Sequence, residues 1–161
     1  MASPTESPFA GDWIYRSYVN TDLYPIQTDD PAKALQNFNT LLFGEGKLHL
    51  EVDERGYLAN STLSFGEGYD MRVDGVAEGT GTTPFQPAPA TVRMKAFGVE
   101  GEQTAGWLYE YVGYFAPVWP NGVDQVDAIV GSVIRVVPHG TGKAGVVASF
   151  VAVRVAPKAS A

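Results

Sequence analysis

Hydrophobic and polar residues alternate along much of this chain with a period of two. Leu48, Leu50 and Val52 are separated by His49 and Glu51. Tyr69, Met71 and Val73 are separated by Asp70 and Arg72, and Val92, Met94 and Ala96 by Arg93 and Lys95. A period of two sends successive side chains to opposite faces of a strand, so each run has one apolar and one wet face. Eight segments carry strand character: 12–20, 40–52, 57–66, 69–78, 91–101, 105–116, 127–137 and 145–156. The joints "DERG", "GEG" and "EGEQTAG" are short and turn-like. Joints of this kind set consecutive strands side by side and antiparallel. Eight such strands can close on themselves, which removes exposed edges. The pattern therefore predicts an all-β fold: an eight-stranded antiparallel up-and-down barrel. It forms one domain over 9–157, with a flexible leader at 1–8 and a tail at 158–161.

Three stretches break the pattern. Residues 21–39 contain "DDPAKALQNFN", where Asp30 can cap a short helix with Pro31 at its first position. This predicts a short helical insertion after the first strand. Residues 79–90, "GTGTTPFQPAPA", are too rich in Gly, Thr and Pro for a strand, and 117–126, "PVWPNGVDQV", carry Trp119 between two prolines. Long loops of this kind commonly ring the open mouth of a barrel, so Trp119 and the 79–90 loop are expected to close it. The last two segments, "DAIVGSVIRVV" and "GVVASFVAVRV", are apolar on both faces. A lone barrel wets its outer face, so a homo-oligomer through these two strands is expected, with cover by 21–39 as the alternative.

Composition changes the picture mainly by exclusion. Hydrophobic residues make up 45% of the chain, enough for a real core, while charged residues are only 18%. The formal charge of −7 argues against nucleic acid, and no Lys/Arg run suits an anionic membrane face. There is no cysteine, which removes disulfides, thiolate metal sites and Cys nucleophiles together. "MASPTESPF" lacks the pattern of a signal peptide and no apolar run has membrane-spanning length, so a cytoplasmic protein is expected. "FGEG" occurs at 43–46 and again at 65–68. Phosphate loops need a helix to follow, and strand-like residues follow here, so these glycines are read as bends and turns.

Gly11-Asp12-Trp13 opens the first segment, and Arg154 lies in the last, within "FVAVRV". In this the chain resembles the calycin superfamily, which covers lipocalins, fatty-acid-binding proteins and avidins. In lipocalins a Gly-x-Trp opens the first strand and a late Arg or Lys packs across that Trp. The resemblance implies that Gly11, Trp13 and Arg154 build the closed floor of the barrel, with Arg135 competing for the role of Arg154. It also implies a cavity for a small molecule. The Thr-Asp-Tyr motif and the cysteine pair of lipocalins are absent. The resemblance therefore stops at a calycin-like barrel, a shape shared with allene oxide cyclases and some bacterial cyclases.

The stretch "GWLYEYVGYF" is the densest in candidate chemistry. Trp107, Tyr109, Tyr111 and Phe115 share one face; Leu108, Glu110, Val112 and Tyr114 share the other. If the aromatic face points inward, the cavity suits a flat or greasy ligand. If the other does, Glu110 is a buried carboxylate and an acid–base candidate. His139, in a loop after Pro138, is a second acid–base candidate, whereas His49 lies on a wet face. Two histidines without ligand spacing give no metal signal. Ser132 is either a cavity hydroxyl or an interface residue. The expected function is binding of a small apolar or aromatic molecule, without a cofactor. Tyr15, Trp107, Tyr109, Tyr111 and Trp119 would grip it, with Met71 and Met94 beside them. The alternative is a cofactor-free cyclase or isomerase, with Glu110, a Tyr or His139 moving a proton. A purely structural oligomer is a third reading.

Overall fold

A computed structural model describes residues 7–20, 30–33, 41–79, 90–117 and 126–155. Eight strands follow in order: β1 (Gly11–Val19), β2 (Leu42–Val52), β3 (Tyr57–Ser64), β4 (Asp70–Glu78), β5 (Thr91–Gly98), β6 (Leu108–Ala116), β7 (Ala128–Arg135) and β8 (Val147–Arg154). Each pairs antiparallel with the next, and β8 returns to pair with β1. The barrel is closed, up-and-down and all-β, as the alternation predicts. Between β1 and β2, residues 31–33 are helical, and the Ala32 N–H donates to Asp30 Oδ1 at 3.0 Å. A side-chain oxygen at the first turn takes up a donor that has no partner within the helix.

The alternating positions fill the interior. Leu48, Leu50, Leu63, Met71, Val73, Val92, Met94 and Ala96 are buried. The intervening Lys47, Glu51, Arg72, Asp74, Arg93 and Lys95 face outward on β2, β4 and β5. Local chemistry closes the turns. In "DERG", Asp53 Oδ1 accepts from the Arg55 and Tyr57 N–H groups, each at 2.8 Å, and Gly56 takes φ +86°. In the bulge between β2 and β3, the Glu51 N–H donates to the buried Ser61 hydroxyl at 3.0 Å, so no donor is stranded there.

Strand parity sorts the connections into two ends. The start of β1 shares one end with the β2–β3, β4–β5 and β6–β7 connections; the other four lie opposite. The stretches 79–90 and 117–126 are therefore anchored at the end where Trp13 sits, and 21–39 at the other. The recess described below opens at the end opposite these anchor points. Trp119 itself, and 80–89, lie outside the described residues.

Candidate functional site

One end of the barrel is plugged. Trp13 is 0% exposed, and its indole Nε1–H donates to the Phe9 carbonyl at 3.0 Å. Trp13 lies opposite Arg154 in the β1–β8 register, and the Arg154 Cζ sits 4.2 Å from the centre of the ring. Arg154 Nε donates to Asp127 Oδ2 at 3.0 Å and Nη1 to the Ala10 carbonyl at 2.8 Å; Nη2 donates to the Pro8 carbonyl. Gly11 has φ +123°, and a Cβ there would stand 3.0 Å from Arg154 Nη1. The glycine thus leaves room for the guanidinium that ties both chain ends across the indole. Phe9 meets Phe115 edge-on beneath. Arg135 lies at the other end and takes no part in this floor.

The other end holds a recess of about 240 Å³. The interior face of β6 decides its character. Tyr109, Tyr111 and Phe115 are buried, so the aromatic face points inward. Glu110 points outward, its side chain 46% exposed and paired with Lys95 at 3.1 Å. There it borders a separate hollow on the outer wall of β4 to β6, among Asp74, Arg93 and Lys95. Glu110 is thus not the interior acid considered as one alternative, because the aromatic set claims the inward parity.

Tyr15 and Tyr111 form the bottom of the recess, edge-on to each other with ring centres 6.1 Å apart. Burial pushes the Tyr15 phenol up to about 12, partly offset by hydrogen bonds from Ser17 and Tyr111; Tyr111 is also driven well above 10.0, chiefly by burial. Both phenols are neutral and dry across the ordinary pH range. Beneath them a small gap among Tyr15, Leu48, Leu63, Val73, Met94 and Tyr111 has no room for a water molecule. Met94 lines that gap rather than the recess, and Met71 is fully buried in the core below. Among the described residues, side chains therefore fill the interior beneath the recess.

The rim is built by three connections. In the β7–β8 hairpin, His139 and Gly142 exchange backbone hydrogen bonds of 3.1 and 2.9 Å. This holds the His139 imidazole flat on Trp107, with centres 3.7 Å apart and planes 13° from parallel. His139 Nε2 shares a hydrogen bond with the Tyr109 hydroxyl, and Arg135 Nε donates to the same oxygen at 3.4 Å. Burial, then the neighbouring Arg135 charge, lowers the His139 pKa below 6.5, so the ring is neutral at pH 7. The β5–β6 loop is fixed to the β3–β4 turn: the Gln103 N–H donates to the Gly68 carbonyl at 2.9 Å, and the Thr104 hydroxyl to Asp70.

Of the residues singled out in the sequence, Tyr15, Trp107, Tyr109, Tyr111 and His139 come together here. Ser17, Phe43, Phe65, Tyr69 and Arg135 also line the recess without having been marked as ligand contacts. Phe43 and Phe65 lead the two "FGEG" copies, so that echo carried a signal, in its aromatics rather than its glycines. Gly44 lies under Phe65, whose ring would stand 3.1 Å from a Cβ there. The first copy is part of β2, and the second spans the β3–β4 turn. Among the described residues, no three His, Asp or Glu side chains cluster as a metal site. Also among them, no helix is long and apolar enough to cross a membrane. Comparison with protein-family models, curated proteins and solved structures finds no match.

Proposed function

We propose that this calycin-like barrel binds a small aromatic or apolar molecule in the recess at the His139 end. The observation that carries the reading is a ring-walled pocket over a dry, filled barrel. Phe43, Phe65, Trp107 and Tyr109 offer flat faces and edges, and the floor phenols are already desolvated. Its volume, about 240 Å³, lies under the ~300–1,000 Å³ usual for drug-sized ligands, so a single ring system suits it. Native mass spectrometry of the purified protein, and ligand-observed NMR with monocyclic aromatics, test the reading. Saturation transfer to the ligand that is lost in Trp107→Ala is the expected result. Transfer that survives that substitution unchanged would place binding elsewhere.

A second reading, a cofactor-free cyclase or isomerase, has one observation in its favour. Tyr109 and the neutral His139 share a hydrogen bond at the edge of the recess, so a proton can pass between phenol and imidazole. A shaped, dry cavity also lowers the entropic cost of ring closure. An enzyme would lose turnover in His139→Gln while keeping ligand affinity; a carrier would have no turnover to lose.

Two further expectations belong to the same proposal. The outer faces of β7 and β8 are apolar, and we assign them to contact with a second copy of the chain. The charged outer faces of β2, β4 and β5 face water, unlike the all-round apolar band of a membrane-spanning barrel. Together with the absence of cysteine, this supports a cytoplasmic setting.

A further inference from the structure

Two charged side chains line the recess, Arg135 and Glu45, and of these only Glu45 has an ion-pair partner among the described residues. Arg16, Arg72 and Arg154 each meet a carboxylate, at 3.1, 3.0 and 3.0 Å. Arg135 meets none among the described residues. Its position is nonetheless fixed. The guanidinium Cζ lies 4.8 Å from the centre of the Phe43 ring. Its other side rests on the backbone of Gly142, where a Cβ would run into Nη1 and Cζ. Nε donates to Tyr109 and Nη1 to the Lys143 carbonyl, at 3.4 and 3.3 Å, while Nη2 makes no hydrogen bond among the described residues. Glu45, the other charged residue lining the recess, is taken up by Arg16, and His139 is neutral. A half-buried guanidinium held by stacking and backbone, rather than by a counter-ion, is set up to receive an anion.

We propose that the recess takes a small aromatic carboxylate, its ring against Phe43, Phe65 and Trp107 and its carboxylate on Arg135. The inference rests on the recess being a ligand site and names the class of ligand. A ring is required because the walls are rings and the floor is closed. Tyr15 and Tyr111 block the path downward, and the gap beneath them excludes even water. A long alkyl chain therefore has nowhere to go, and the acid must be short and flat.

The test is calorimetry at pH 7 with benzoate and phenylacetate, their neutral primary amides, and octanoate. Each aromatic acid should bind about tenfold tighter than its amide, the scale of a charged hydrogen bond, and octanoate should not compete. Arg135→Gln should bring the ratio of acid to amide affinity from about ten to about one. Gly142→Ala should act in the same direction, because it displaces the guanidinium without removing its charge; it needs only the end of a flexible side chain to move. Equal affinity for acid and amide in the unmodified protein overturns the proposal and leaves the pocket reading standing. So does an acid preference that survives both variants, or octanoate binding as tightly as benzoate. If neither acids nor amides bind, the pocket reading falls and the proposal with it.

Discussion

Trp13 earns its place through packing. It removes roughly 150–250 Å² from water and carries a guanidinium on its face. Trp13→Ala should lower unfolding free energy by about 3–5 kcal/mol in urea titration; a loss under about 1 kcal/mol would show that it is not the plug. This contact was legible through the resemblance to calycin barrels, with Gly-x-Trp early and an Arg late in the chain; in the register the third residue of β1 meets the last of β8. The role of Arg135 was not, since its environment is set by a hairpin whose ends alone the sequence announces. The two histidines should titrate on opposite sides of 6.5. A hydrogen bond donated to the Asp12 carboxylate, reinforced by Glu51, raises His49, whereas burial and Arg135 lower His139. His49 therefore contributes stability fully below 6.5 and loses it as pH rises through its folded value. His139 contributes fully above 6.5 and loses it as pH falls through its folded value. Proton–carbon NMR of the imidazole rings should show two separated midpoints, His139 the more acidic. Coincident midpoints would contradict both environments.

Strand β6 shows how far alternation reaches and where it stops. Period two divides the strand into Tyr109, Tyr111 and Phe115 against Glu110, Val112 and Tyr114, but it does not say which set is inside. Burial of rings over carboxylate decides that, because an unpaired interior charge costs far more than a wetted valine. Counting strands also assigns each connection to an end. The chemistry of 79–90 and 117–126 suggested a mouth; parity anchors their ends beside Trp13. Composition reports that a loop is long, not which end it serves. The β6–β7 pair carries a constraint that composition leaves hidden. Gly113 faces Gly131 across the ladder, and a Cβ on Gly131 would run into the Val112 carbonyl. A Cβ on Gly113 would stand 2.8 Å from Ile129 Cγ2 and 3.0 Å from Phe150 Cζ. Gly131 thus lets the two strands approach, and Gly113 leaves room for the Ile129 and Phe150 side chains. Gly131→Ala should cost about 1–3 kcal/mol in denaturant unfolding, through strain against backbone that has no way to yield. Gly142→Ala, which meets only the end of Arg135, should cost much less. Equal effects would mean that the β6–β7 ladder is looser than its geometry implies.

The barrel has two unlike sides. Charged side chains stand on the outer faces of β2, β4 and β5, while Ile14, Val112, Tyr114, Val130, Val147 and Val151 leave 38–46% of their surface open on β1 and β6 to β8, where Asp12, Arg16 and Glu110 also face out on β1 and β6. Val130 lies directly across from Val151, and Ser132 from Ser149, so the outward residues of β7 and β8 form uncharged rows. On a chain of formal charge −7, two copies repel wherever charged walls meet. A second copy can approach closely only through a surface with no charge of its own, and a two-fold contact offers that surface to itself. Light scattering should therefore give a multiple of 17.3 kDa for the unmodified protein. Replacing both Val130 and Val151 with Lys should return it to 17.3 kDa with its β circular dichroism intact. Those two positive charges bring −7 to −5, so they weaken the general repulsion between copies. Dissociation could then come only from charges buried at the contact itself, which cost several kcal/mol each. A monomer in the unmodified protein, or an assembly indifferent to both lysines, would assign the apolar wall to something other than a second copy.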